Sequence, residues 1–182
     1  MKANGLLRAS GGDDPHMTIE GDALLLKMVE QQLDAAVFEN LREKVGFQPY
    51  ALEDAAAALS NTLYTAEIRE ADRTLGMARI VGDNRLVFFI KDVVVEPEMK
   101  GKGLGRMLMG ALFGYIRQHA CENAYVGLMA TPGTESFYEQ YGFIRRPAPG
   151  LGSGMVLYIT KDNADELCVQ RNDGMRKSEV PT

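Results

Sequence analysis

The sequence predicts an α+β fold in which helices flank one mixed, mostly antiparallel sheet. Three observations carry this. Strand-like runs at residues 62–69, 74–81 and 86–95 follow one another with only short turns between them, which requires antiparallel pairing. A strongly periodic helix at 104–119 separates the last of these from another strand-like run at 125–130, so those two strands can lie parallel through a crossover. The chain has 182 residues, 46% apolar and 25% charged, as expected for one globular domain with a real core.

The elements follow in order. Residues 23–29 (ALLLKMV) read as an opening strand. Leu33, Val37, Leu41 and Val45 recur every four residues, which predicts a helix, and Gly46 is placed to stop it. Residues 53–59 form a second short helix, rich in alanine. Residues 62–69 alternate, Ala71-Asp72-Arg73 is a turn, 74–81 is a strand, and Gly82-Asp83-Asn84 supplies the next turn. Residues 86–95 are apolar except for Lys91-Asp92, two polar residues that suggest a bulge, a place serving a pocket, or an edge-facing pair. Leu104, Met107, Leu108, Ala111, Leu112, Tyr115, Ile116 and His119 form one buried stripe. On that stripe a packing or terminal role for His119 outweighs a catalytic one. After the strand at 125–130 come Thr131-Pro132-Gly133 and a short helix over 134–140. Two closing strands, 141–145 and 155–161, are joined by the glycine- and proline-rich segment 147–154. The order is β-α-α-β-β-β-α-β-α-β-β.

Met17-Thr18-Ile19-Glu20 reads as a start, so residues 1–16 are expected to be a leader or disordered segment, 17–162 the folded domain and 163–182 a polar tail. The net charge of −5 disfavours general nucleic-acid binding, and no apolar run reaches membrane-spanning length. Cys121 and Cys168 form neither a CxxC nor a disulfide framework, and His16 and His119 cannot make a histidine-rich metal site. A cytoplasmic setting without membrane, nucleic acid or metal is the expectation.

Against that acidic background the stretch from Asp92 to Arg106 stands out. β-branched residues end in Pro97, a loop carrying Lys100, Lys102 and Arg106 follows, and the periodic helix begins. N–H groups at a helix N-terminus, glycines that allow close approach and fixed positive charge together suit a phosphate or pyrophosphate. The dinucleotide pattern G-x-G-x-x-G fails because Arg106 or Leu108 falls where its third glycine belongs, and no Gly-Lys-Ser/Thr completes a Walker loop.

Lys100-Gly101-Lys102-Gly103-Leu104-Gly105 resembles the [Q/R]-x-x-G-x-[G/A] acyl-CoA loop of the GNAT superfamily of N-acetyltransferases, with lysine at its first position. Ser136-Phe137-Tyr138-Glu139-Gln140-Tyr141-Gly142-Phe143 is similar to a second family signature, F-Y-x-x-x-G-F. The element order over about residues 19–161 is also the family's. The resemblance implies an acyltransferase that uses acetyl-CoA as donor. It implies that main-chain groups of Val93, Val94 and Val95 pair with the pantetheine arm. Lys100, Gly101, Lys102, Gly103, Leu104, Gly105 and Arg106 would hold the pyrophosphate, with Ser136 a further cofactor contact. Thr131 stands where many members have a cofactor-binding asparagine.

The implied reaction moves acetyl from sulfur to a primary amine. A lysine-like ammonium of pKa about 10.4 is neutral in only about one molecule in 2,500 at pH 7, a shortfall of roughly 4.6 kcal/mol. The proton therefore needs burial, a base or a water chain to remove it. Tyr138, at the family's tyrosine position, is the candidate acid for the departing thiolate. Asp92 is the nearest candidate base and Glu96 the next, with a bulge or hydrogen-bonding role for Asp92 and a water relay left open. Phe47, Tyr50, Tyr64, Phe88 and Phe89 could wall an acceptor pocket, though each is better explained as core. The expected partner is a small-molecule amine. A protein acceptor and a non-catalytic acyl-CoA sensor are alternatives, and a homodimer is a family habit that no residue here fixes.

Overall fold

The computed structural model describes residues 8–9, 16–18 and 25–160. They fall into two compact units, one reaching Pro132 and one beginning at Gly133.

The first unit is built on a seven-stranded sheet in chain order: β1 (Arg8–Ala9), β2 (His16–Thr18), β3 (Leu25–Glu30), β4 (Tyr64–Glu70), β5 (Arg73–Gly82), β6 (Val87–Val95) and β7 (Tyr125–Leu128). Every neighbouring pair is antiparallel except β6 and β7, which are parallel. The mixed, mostly antiparallel architecture is thus as the sequence predicts. Residues set aside as leader contribute β1 and the first residue of β2.

Two helices follow β3. Helix α1 (Ala35–Lys44) starts where the Asp34 carboxylate accepts from the N–H groups of Ala36 at 2.8 Å and Val37 at 3.4 Å. It ends with Arg42 and Lys44 in its last turn and Gly46 beyond it at φ +78°. Helix α2 (Leu52–Ser60) lacks a side-chain cap but carries Glu53 and Asp54 in its first turn, where negative charge suits the dipole. Between β5 and β6, Asp83 Oδ1 accepts from the N–H groups of Arg85, Leu86 and Val87, closing the turn that Gly82-Asp83-Asn84 predicts.

Helix α3 (Leu104–His119) buries Leu104, Met107, Leu108, Met109, Leu112 and Ile116 against β4, β5 and β6. Alternation along β5 sends Met77 and Arg79 the other way, toward α1. There Leu33, Phe38, Leu41, Ala55, Met77 and Val94 form a second core cluster. Full burial of a side chain the size of Phe38, Leu41 or Met77 contributes about 1.5–3 kcal/mol. Glu67, fully buried on β4, is held by Arg69 at 2.9 Å and by the Thr74 hydroxyl at 3.0 Å.

The second unit contains α4 (Glu135–Glu139) and an isolated bridge between Ala148 and Leu151. The closing strands expected at 141–145 and 155–161 do not form among the described residues. Tyr141 N–H donates to Tyr138 O and Gly142 N–H to Glu139 O, and Gly142 takes φ +88°, so turn geometry runs through the first of them. In the second, Met155, Val156, Leu157, Tyr158 and Ile159 are 63–91% exposed and join no ladder. An apolar, strand-prone run becomes a strand only when a neighbour supplies its hydrogen bonds. Residues 161–182, with the expected tail, lie outside the described residues.

Candidate functional site

Strand β6 carries the site. On one side it pairs with β5 along most of its length; on the other it meets β7 only from Val87 opposite Tyr125 to Ile90 opposite Leu128. From Lys91 to Val95 that second edge has no strand partner among the described residues, so a row of peptide groups is left for something else to bond. The register against β5 also shifts here: Arg79 faces Lys91 and Met77 faces Val94, which leaves Asp92 and Val93 opposite Ala78 alone. This is a β-bulge, and Asp92 sits in it at φ +50°, a left-handed conformation that aspartate tolerates better than most residues.

The Asp92 side chain is 4% exposed and both of its oxygens are engaged. Oδ1 accepts from Arg42 Nη1, and Oδ2 from Arg79 Nε at 2.6 Å. Arg42 donates its other terminal nitrogen to Gln48 O at 2.8 Å, and its guanidinium lies over the rings of Phe38, Phe47 and Tyr50 at 4.7–5.3 Å. Glu39 Oε1 stands 3.4 Å from Arg42 Nε, which balances two guanidiniums against two carboxylates. Each Asp92 oxygen already accepts from a guanidinium, and the carboxylate is almost wholly shielded from solvent, so an incoming ammonium would meet an anion already paired with two cations. Glu96 is similarly committed, to Lys44 at 2.6 Å and to Arg73, and is 1% exposed. Burial pushes its carboxyl up, but the hydrogen bonds from Lys44 and Arg73 hold it below the usual range.

Past Glu96 a single 3₁₀ turn, Pro97–Met99, leads into the loop. Gly101 at φ +81° and Gly103 at φ +91° both adopt conformations that a side chain resists, and Gly103 is the N-cap of α3. Met99 and Leu104, 7% and 1% exposed, anchor the loop at each end. The N–H groups of Gly101, Gly103, Leu104 and Gly105 have no acceptor among the described residues. Lys100 and Arg106 are exposed and make no ion pair there, while Lys102 is half-buried. Unmet donors, the positive end of a 16-residue helix and unneutralised cations thus coincide. The residues present fit an anionic diphosphate. Thr131 lies in the exposed turn after β7.

The expected aromatic wall divides. Tyr64 and Phe88 are core, 4% and 0% exposed; Phe47 and Tyr50 surround Arg42; Phe89 is half-buried on β6. His119 ends α3, stacked on Tyr115 at 4.0 Å with its Nδ1 2.8 Å from Tyr115 O, a packing arrangement. No group of three or more His, Cys, Asp or Glu able to hold a metal occurs among the described residues. No helix there is long and apolar enough to cross a membrane.

In the second unit, Tyr138 on α4 makes edge contacts with Phe137 at 5.0 Å and Phe143 at 6.2 Å. Burial raises its hydroxyl above the ordinary tyrosine value, so it stays protonated at neutral pH. Ser136, on the same helix, is exposed.

Arg42 and Arg79 are the residues that sequence reading missed. Arg42 did carry a signal: it follows Phe38 by four residues, on the helix face that should be apolar.

Residues 39–158 match the family model described as an acetyltransferase (GNAT) domain. An uncharacterized N-acetyltransferase, ycf52, of Pyropia yezoensis is 34% identical over 113 residues, covering 60% of this chain and 64% of that protein. A soybean (Glycine max) protein named histone acetyltransferase TAP1 is 31% identical over 63% of this chain and 54% of its own length. A rice (Oryza sativa) protein named serotonin N-acetyltransferase 2, chloroplastic, is 32% identical over 63% and 58%. The chain therefore spans less than two thirds of the relatives it matches. Among solved structures, a probable acetyltransferase of unknown function, SA2161 from Staphylococcus aureus, superposes with a TM-score of 0.67 at 29% identity. That match covers 73% of this chain and 99% of the other.

Proposed function

The chain belongs to the GNAT family of acetyltransferases, and from that membership we propose that it is an N-acetyltransferase moving acetyl from acetyl-CoA directly to a primary amine of a small molecule. The observation that carries this reading is the continuity of one path. The unpaired edge of β6 from Lys91 to Val95 runs into a loop whose free N–H groups head α3.

Peptide groups of Val93, Val94 and Val95 would bond the pantetheine arm as an added strand would. The N–H groups of Gly101, Gly103, Leu104 and Gly105 and the charges of Lys100, Lys102 and Arg106 would hold the diphosphate. Acetyl-CoA supplies an activated thioester carbonyl. The amine nitrogen forms the new C–N bond as the C–S bond breaks, and Tyr138, in the role that its place in the family signature implies, would give its proton to the leaving sulfur. Because Asp92 is already paired with two guanidiniums, the proposed route for the amine proton is through water rather than through that carboxylate.

The test is an amine panel with thiol detection. Tyr138→Phe should lower turnover by about 100-fold or more, in line with loss of a general acid, and leave acetyl-CoA affinity unchanged. Equal loss of both would assign Tyr138 to binding. Saturable acetyl-CoA binding without turnover on any amine would replace the enzyme with a sensor, and activity on peptides alone would move the acceptor to protein.

A further inference from the structure

The bulge in β6 is held by more than its own backbone. A left-handed aspartate costs energy, and a bulge without support can slip by one residue, carrying every later peptide group on the strand to the opposite edge. Arg42 from α1 and Arg79 from β5 grip the two oxygens of Asp92 from different elements. Both guanidiniums are immobilised in turn. Arg42 is fixed by Gln48 O and three aromatic rings, Arg79 by the Phe38 ring at 5.3 Å and Thr62 Oγ1 at 3.3 Å. Their side chains are 8% and 12% exposed, so water neither screens nor replaces the contacts.

We propose that Arg42, Asp92 and Arg79 form an ionic clasp whose task is to fix the phase of β6, so that Val93, Val94 and Val95 present their peptide groups to the pantetheine arm of the donor. In this role Asp92 is a positioning residue. It acts through the three residues after it and exchanges no proton with the amine. The inference rests on the proposed use of acetyl-CoA and adds to it a reason for two largely buried arginines that bond to the bulge of β6.

The clasp governs the arm and leaves the diphosphate grip alone, which gives a test that a merely structural role would not satisfy. Acetyl-CoA carries both parts; ADP carries the diphosphate without the arm. Asp92→Asn and Asp92→Gly both tolerate a positive φ and both remove the anion. Each should weaken acetyl-CoA binding by about tenfold, the equivalent of one or two lost main-chain hydrogen bonds, while ADP binding measured by competition stays unchanged. Arg79→Lys, which keeps a cation beside Oδ2, serves if the Asp92 variants do not fold, and should show the same split with a smaller loss. Asp92→Gly retaining full acetyl-CoA affinity would overturn the clasp, since backbone freedom alone would then suffice. Parallel loss of ADP and acetyl-CoA would overturn it too, as general damage. Failure of the wild-type protein to bind acetyl-CoA would remove the proposed function itself and this inference with it.

Discussion

Replacing Gly101 with alanine isolates the conformational contribution of the phosphate loop. Gly101 holds φ +81°, and a Cβ built on it meets no atom within 4 Å. The substitution therefore adds no clash within the chain and penalises only the left-handed backbone, by about 1–2 kcal/mol. Part of this is offset in overall stability, because alanine restricts the unfolded chain by about 0.4–1 kcal/mol relative to glycine. The fold should thus survive with a loss of roughly 1 kcal/mol or less. The loop should relax toward negative φ, and binding must then restore the original conformation, weakening acetyl-CoA by about 5–30-fold. Calorimetric titration reads this directly. Gly110→Ala is the control: it lies in α3, exposed and with open space around the new methyl. It should stabilise the protein by about 1 kcal/mol and leave the affinity alone. A Gly101→Ala protein that binds within about twofold of wild type would refute the loop's assignment, because preorganised N–H groups would then be unnecessary.

Two further predictions concern stability. The Glu96 carboxyl is held below its usual range by Lys44 and Arg73 against the opposing effect of burial, so its contribution is present above the unfolded-state value of about 4.3 and is lost as pH falls through the lower folded value. Glu96→Gln should lower the urea midpoint at neutral pH, and the gap to wild type should close in acid; a gap of constant size would show that charge is not the cause. Gly82 stands at φ +153°, and a Cβ there would lie 1.9 Å from Val87 O, a backbone atom of the paired strand. Gly82→Ala should cost about 3 kcal/mol or more in chemical unfolding, and a loss under about 1 kcal/mol would mean that the hairpin bends readily at this point.

Much of the fold was legible because its strongest signals are local. The stripe from Leu104 to His119 defines α3 to the residue, since an apolar face of four turns admits no other register. Turns containing Ala71 and Asp83 stand where their residues predict, and Lys91-Asp92 marks the bulge by interrupting an apolar strand. What escaped depends on distant parts of the chain. The apolar run of residues 155–159 speaks of preference for an extended chain and is silent on whether a partner exists. In the site, the glycines and lysines of the loop are visible as a run. The union of Arg42, Asp92 and Arg79 joins residues up to 50 positions apart, and no spacing rule connects them. Even so, a cation on the apolar face of α1 was a question that the sequence posed without answering.

The early parting of β6 from β7 has an evolutionary consequence. Where a guest is recognised by amides common to every residue, the side chains of Val93, Val94 and Val95 could vary without loosening the proposed grip on an acyl donor. Selectivity for the acceptor can then drift by substitution among neighbouring helices and turns, while the currency of the reaction stays the same.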